Sequence, residues 1–258
     1  MSDQTIHTSN PDAPPLPAAH LTGDATAEDV ESIRRRTSVF VYEWPVRLWH
    51  WINAALIMIL IGTGWLIASP LPSMNFAEAT FQFVMGYNRF IHFAAGQLLT
   101  VAFAARVYWA LVGNHHSKQL FYVPVWKKSW WKEVVHELRW YAFLEDVPKK
   151  YVGHNPLAQV AMFFFMTVGI TFMLLTGWAL YAEGAGQGSL PDLAMGWLIA
   201  WVQNTQVLHS LHHLGMWFII IFMMIHIYAA IREDIMSRQS MVSTMISGHR
   251  TFKDDLPD

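Results

Sequence analysis

The chain reads as an all-α polytopic membrane protein: a four-transmembrane-helix bundle with an interfacial cytoplasmic helix in the long connection between the second and third spans. Three observations predict this. Hydrophobic residues make up 53% of the 258 positions and charged residues only 14%, where soluble domains carry about 25% charge. The charge is also segregated. No Asp, Glu, Lys or Arg occurs between Arg47 and Glu78, Arg89 and Arg106, Tyr151 and Ala182, or Asp192 and Arg232, and each gap can hold a spanning helix of about 20 residues. Finally, the last apolar stretch carries His209, His212, His213 and His226. Ionisable groups inside a spanning helix are costly and are read as functional.

Residues 1–38 are rich in Pro, Thr, Ala and Asp and lack an apolar run, which predicts a disordered cytoplasmic tail. Arg34, Arg35 and Arg36 end it as a topogenic cluster. The membrane domain is expected over 39–235. Its first helix runs from about Pro45 to Ala68, with proline at the first turn and Pro70 and Pro72 beyond its end. Trp44, Trp49 and Trp51 form an aromatic belt around His50. The second helix covers about 90–112, with His92 in its first turn and Arg106 near its far end. Residues 113–155 hold seven basic residues interleaved with Trp126, Trp130, Trp131 and Trp140, and 129–143 has the amphipathic pattern of a helix lying on the membrane surface. The third helix spans about 156–181 and the fourth about 207–231. Between them, Leu193 to Val202 is an apolar patch able to dip into the interface. Residues 236–258 are expected as a polar cytoplasmic tail.

Basic residues set the orientation. Four lie on the N-terminal flank, seven in 113–155 and four in the C-terminal tail, whereas the other side has Arg89 alone. The bias predicts that both termini and the long connection are cytoplasmic, in a multi-pass protein of the cell inner membrane. A net charge of −2 gives no reason to expect nucleic acid. Cysteine is absent, which removes disulfides, thiolate-bound clusters and covalent c-type haem attachment.

Topology assigns each histidine a depth. His50 and His226 fall in the cytoplasmic half and His92 and His212 near the periplasmic surface, so matching depths pair His92 with His212 and His50 with His226. On the fourth helix, His212 lies about 40° from the azimuth of His226, His209 about 100° and His213 about 140°, and 14 residues rise roughly 21 Å. Each pair can clamp one haem iron from two sides. Zinc would instead gather its ligands at one point, and a proton-coupled transporter would show acidic residues at the midplane. Gly96 and Gly215 are expected to leave room for a porphyrin edge. Gly62 and Gly64 serve helix packing equally well.

The ordered series YEWPVRLWHW (42–51), MGYNRFIHFAAG (85–96), GNHHSKQLFYVPVWKKSWW (113–131), GHNPLAQVAMF (153–163), HSLHHLGMW (209–217) and HIYAAIREDIMSRQSMVSTMISG (226–248) resembles the b-type cytochrome subunit of membrane-bound nickel–iron hydrogenases. Trp44 and Leu211 stand where that family more often has Ala and Trp. The resemblance implies four helices and two non-covalent haem b groups, with ligands at His50, His92, His212 and His226. It implies an iron–sulfur small subunit and a nickel–iron large subunit as partners, and a quinone as electron acceptor near the cytoplasmic surface. It implies no catalytic residue and no hydrogen-splitting site in this chain. Arg47, Arg89 and Arg106 are candidate propionate partners. A cytochrome subunit of a formate dehydrogenase or thiosulfate reductase, or a stand-alone b561-type oxidoreductase, would share the four helices and the 14-residue histidine pair.

Overall fold

In the computed structural model, residues 37–71, 83–146, 149–237 and 239–252 are described. The expected tail before residue 37, the loop containing Glu78 and the last six residues lie outside them. Four helices are long and apolar enough to cross a membrane. They are α1 (Trp44–Ala68), α2 (Val84–Val112), α4 (Pro156–Ala185) and α6 (Thr205–Met236). Their large apolar side chains, such as Leu98, Val101, Ile221 and Met224, are widely exposed, the surface expected of helices solvated by lipid.

Local chemistry sets the ends of these helices. Pro45 opens α1, and the Ser69 N–H closes it on the Trp65 carbonyl at 2.8 Å, just before Pro70. Helix α2 begins six residues before the expected start and stops at Gly113. There a Cβ would lie 2.7 Å from Trp109 Nε1. Asn155 caps α4 by accepting from the Ala158 N–H at 2.6 Å, and Asn204 caps α6 at Gln206 and Val207.

Helix α6 runs five residues past the expected end because its charged last turn is sheltered. The Arg232 guanidinium lies over the Trp140, Tyr141 and Phe143 rings and donates to the Trp140 carbonyl, while Glu233 accepts from Trp140 Nε1 at 3.1 Å. Those aromatic groups come from α3 (Lys128–Tyr141) and the residues that follow it. Helix α3 is the amphipathic helix of the 2–3 connection, and it buries Trp130, Val134, Glu137 and Trp140 along one stripe. A further apolar helix, α5 (Leu190–Val202), packs against α4 where the sequence shows only an apolar patch.

Two features depart from regular helix. Within α4, Phe163–Val168 forms a π-helical bulge, a local widening that re-aims side chains and is frequent at functional sites. Here it stacks Phe165 on Phe218 and Phe222, with centroids 4.4 and 4.8 Å away, and Phe222 in turn stacks on His226. Beyond α6 the expected polar tail folds back on the bundle. Helix α7 (Met241–Ser247) leads through Gly248, at φ +85°, into β2 (His249–Phe252), which pairs antiparallel with β1 (Thr37–Phe40). This ribbon grips the start of α1. The Val41 and Tyr42 N–H groups both donate to the Gly248 carbonyl, Arg47 Nη1 donates to the Ile246 carbonyl, and Trp51 Nε1 donates to the Met245 carbonyl. The bundle therefore has a ribbon end, holding β1, β2, α3 and α7, and an opposite end where α5 meets α6. Between the ends, Ile57, Met166, Ile170, Ile219 and Phe222 form the main apolar cluster.

Candidate functional site

The spans bring the four histidines together as two pairs. His50 of α1 faces His226 of α6 toward the ribbon end, with ring centroids 6.3 Å apart. His92 of α2 faces His212 of α6 toward the opposite end, at 6.4 Å. Ile219 of the apolar cluster lies midway between the two α6 histidines. Among the described residues no group of three or more His, Cys, Asp or Glu converges on one point, so the arrangement is two-ligand rather than zinc-like.

The spacing fits a shared metal. An imidazole nitrogen sits about 2.0–2.1 Å from a bound divalent ion, so two rings sharing one ion have centroids roughly 6–6.5 Å apart. Protonation fits as well in the opposite-end pair. Thr63 Oγ1 lies 2.7 Å from the Ile59 carbonyl and 2.9 Å from His92 Nδ1. Thr176 Oγ1 lies 2.8 Å from the Phe172 carbonyl and 2.8 Å from His212 Nδ1. Each hydroxyl donates its one proton to its own helix and so can only accept from the imidazole. Both histidines therefore carry their proton on Nδ1, leaving the Nε2 lone pair free, which is the second-shell arrangement found around metal-bound imidazoles.

Small residues seat these rings. A Cβ on Gly64 would come within 3.2 Å of His92 Cε1, and one on Gly177 within 3.2 Å of His212 Cε1. Around the pair opens a cavity of about 1300 Å³, with Gly96, Arg89, Gln97 and Trp178 among its lining residues. Gly96 faces open space, as the porphyrin-edge expectation requires, but Gly215 does not serve that purpose. A Cβ on Gly215 would strike Met173 Sδ at 2.5 Å and Phe172, so its role is close packing of α6 on α4.

Residues 41–248 match the family model described as prokaryotic cytochrome b561. The chain belongs to the prokaryotic cytochrome b561 family. A b-type cytochrome implies haem b, the group whose axial ligation the histidine pairs fit. Curated relatives named "Probable Ni/Fe-hydrogenase B-type cytochrome subunit" include one from Rhodobacter capsulatus, 70% identical over 92% of this chain and 91% of its own length. Another, from Cupriavidus necator, is 53% identical over 92% and 98%. The Escherichia coli K12 protein named "Probable Ni/Fe-hydrogenase 1 B-type cytochrome subunit" is 47% identical over 84% and 92%.

The other expected residues of this cytochrome divide by position. His209 and His213 line the mouth of the opposite-end cavity. His209 Nδ1 contacts the Thr205 carbonyl at 2.9 Å, and His213 Nε2 accepts from Trp217 Nε1 at 3.2 Å. Arg89 lines the same cavity. Arg106 belongs to the ribbon end, buried under the Trp49 and Phe121 rings, and Arg47 is engaged with α7.

Sequence reasoning missed the two threonines and Gly177, although a signal was present. Thr63-Gly64-Trp65 and Thr176-Gly177-Trp178 repeat one tripeptide in the first and third spans. It also missed a polar knot at the ribbon end. Tyr42 OH is 3.0 Å from His154 Nδ1, and Gln119 Oε1 accepts from the His154 N–H. Burial, followed by the charges of Arg250, His226 and Arg106, pushes His154 down to about 3, so it is a neutral ring. Burial holds the Tyr42 phenol up at about 12 despite Arg250 and Arg106 nearby. On α3, burial and then the charge of Glu233 raise Glu137 to about 7.

Proposed function

We propose that this cytochrome is the membrane-anchoring electron-transfer subunit of a nickel–iron hydrogenase, holding two haem b groups and passing electrons to the quinone pool. One observation carries the reading: two histidine pairs at bis-imidazole spacing, stacked along one bundle and sharing α6. His92 and His212 would hold one haem, and His50 and His226 the other. Haem b, when bound, supplies reversible one-electron iron chemistry. The chain's own contribution is positional. The 14 residues from His212 to His226 set the sites roughly 21 Å apart along α6. Thr63 and Thr176 fix ring orientation and tautomer, and the apolar cluster around Ile219 keeps the space between the sites dry.

The names of the relatives support the hydrogenase partner, an iron–sulfur small subunit and through it the nickel–iron large subunit. The basic bias supports the orientation. Among the described residues Lys118, Lys127, Lys128, Lys132 and Arg139 belong to the connection at the ribbon end, against Arg89 opposite. The ribbon end is accordingly cytoplasmic, the His92/His212 site faces the periplasmic hydrogenase, and quinone is reduced beside His50/His226 in the cell inner membrane.

The test is haem quantification and a reduced-minus-oxidised spectrum on the complex purified in mild detergent, for His50→Ala, His92→Ala, His212→Ala and His226→Ala. Each variant is expected to lose one of two haems, in the pairs named. Unchanged haem content in all four overturns the ligand assignment. A haem-loaded chain that purifies without hydrogenase subunits overturns the partner and favours a stand-alone oxidoreductase.

A further inference from the structure

The ribbon end contains buried cationic and donor groups that have no acceptor. Arg106 is 4% exposed and Arg250 2% exposed. Arg106 donates through Nη2 to the Ser117 carbonyl at 2.6 Å, but its Nε and Nη1 have no hydrogen-bond partner. Arg250 donates through Nη1 to the Tyr151 and Gly153 carbonyls at 2.8 and 2.6 Å, and its Nε has none. His116, also buried, leaves Nδ1 unpartnered. Neither arginine forms a salt bridge among the described residues; Arg250 is hydrogen-bonded to Tyr42 and feels the charges of Glu233 and Asp234 from beyond ion-pair distance, while Arg106 feels Tyr42 alone. Glu43, at the entrance to α1, is committed to Trp109 Nε1 and the Asn114 N–H.

These groups belong to one place. A Cβ on Gly153 would lie 2.8 Å from His116 Nδ1, and the Gly153 carbonyl is the one that Arg250 grips. Next to Gly153, His154 feels the charges of Arg250, His226, Arg106 and His116. Arg106 lies over the ring of Trp49, the residue before His50. Buried guanidinium groups without a directly paired carboxylate are unfavourable, and buried donors are ordinarily satisfied. Four unpartnered nitrogens on three buried side chains therefore describe a cradle for an anionic acceptor. Two cations call for a ligand with two carboxylates, and guanidinium is the side chain best suited to bind carboxylate.

We propose that Arg106, Arg250 and His116 form the binding site for the two propionate carboxylates of the haem held by His50 and His226, with the C-terminal ribbon serving to deliver Arg250. This rests on the ligation proposed above. It accounts for three stretches that iron ligation does not require. Residues 113–120 bring His116 and the Ser117 carbonyl, 151–154 bring the backbone that orients Arg250, and 239–252 fold back to pair with β1. A quinone oxygen is the competing acceptor. It carries no fixed charge and would leave Arg106, beside which no carboxylate stands among the described residues, uncompensated.

The experiment is a potentiometric titration of the purified hydrogenase–cytochrome complex carrying Arg106→Gln, Arg250→Gln or Arg250→Lys, with haem content and quinone kinetics measured on the same samples. Loss of a cation beside the ribbon-end haem disfavours the added electron. The glutamine variants are expected to lower that haem's midpoint potential by an amount equivalent to about tenfold in its oxidation equilibrium, 59 mV for one electron. They should also make the potential fall with pH between 6 and 8, where the wild type is flat, while the other haem is unchanged. Arg250→Lys should restore most of the shift. If Arg250→Gln fails to retain haem, Arg250→Lys and Arg106→Gln still decide the matter. Normal potentials and pH profiles at full haem content overturn the proposal, as does a raised KM for quinone at unchanged potential, which assigns the cradle to quinone. Unchanged haem content in His50→Ala and His226→Ala fails the underlying ligation instead, and the two failures are distinguishable.

Discussion

Replacing Thr63 and Thr176 by valine isolates what holds His92 and His212, the pair at the end opposite the ribbon. Valine keeps the shape of threonine and removes only the hydroxyl, so packing against His92 and His212 is preserved. What is lost is the acceptor at 2.9 Å from His92 Nδ1 and at 2.8 Å from His212 Nδ1. His212 then keeps a proton with no acceptor in a half-buried, apolar setting, at a cost of about 1–3 kcal/mol, while His92 keeps only its contact with the Leu60 backbone and should respond less. Around metal centres, losing such an outer partner typically weakens metal binding by about 10–100-fold. An imidazole whose Nδ1–H is hydrogen-bonded is also the stronger electron donor and favours the oxidised metal. Removing the bond is therefore expected to raise the midpoint potential of the His92/His212 haem by about 59 mV for each tenfold loss of preference for the oxidised form. The assay is a redox titration with haem quantification on Thr63→Val, Thr176→Val and the double variant. The ribbon-end haem should be unmoved, because His50 Nδ1 has no hydrogen-bond partner to lose. Equal shifts at both haems, or none at either, would refute the reasoning.

Three further outcomes are expected. Gly64→Ala and Gly177→Ala each press a methyl to about 3.2 Å from a histidine Cε1, so both should broaden or deplete the signal of the haem proposed at His92/His212. Gly62→Ala, which meets nothing within 4 Å, should be spectroscopically silent. Glu137, raised to about 7 from the usual 4.5 by burial and Glu233, binds a proton in the folded state that the unfolded chain has released. Stability should therefore fall as pH rises from about 4.5 to 7 and level off above, by at most on the order of 3 kcal/mol. Glu137→Gln should flatten the dependence of detergent-phase Tm over that window, and parallel profiles would reject it. Phe165→Leu removes the ring that the π-bulge stacks on Phe222. It should perturb the ribbon-end haem spectrum alone, and a change confined to the other haem would contradict the path from bulge to His226.

The spans were legible because the physics that makes them is one-dimensional. A membrane helix must exclude charge for some 20 consecutive residues, and gaps such as 151–182 record that directly. The histidine pairs were legible for a related reason, since depth and azimuth along a straight helix follow from residue number. What escaped depends on contacts that are distant in sequence. Strands of four residues, 37–40 and 249–252, are too short to show an alternating pattern, and their pairing joins segments some 200 positions apart. Gly215 was read by its nearness to His212 in sequence, whereas its environment is decided by Met173 and Phe172 of α4. The fourth span was ended before Arg232 because Trp140, whose ring and carbonyl shelter that guanidinium, lies 92 residues away.

The two histidine sites are built on different principles, and the difference has a direction. Toward the end opposite the ribbon, the Thr-Gly-Trp repeat in α1 and α4 gives each imidazole an acceptor hydroxyl and a glycine to lie against. Hydroxyls that have given their own proton to a helix carbonyl enrich the ligand and favour the oxidised iron. At the ribbon end His50 lacks such an acceptor, and the surroundings supply Arg106 and Arg250, positive charges that favour the reduced iron. Both effects act in the same sense: the His50/His226 site should have the higher potential, and electrons entering at His92/His212 should run downhill across the membrane. The ordering can be read by assigning each midpoint to its site with the single histidine variants. Combining Thr63→Val and Thr176→Val with Arg250→Gln should then close the gap from both sides. A higher midpoint at His92/His212 in the wild type would mean that ligand hydrogen bonding and buried cations do not set the order, and the account of how this bundle directs electrons would fail with it.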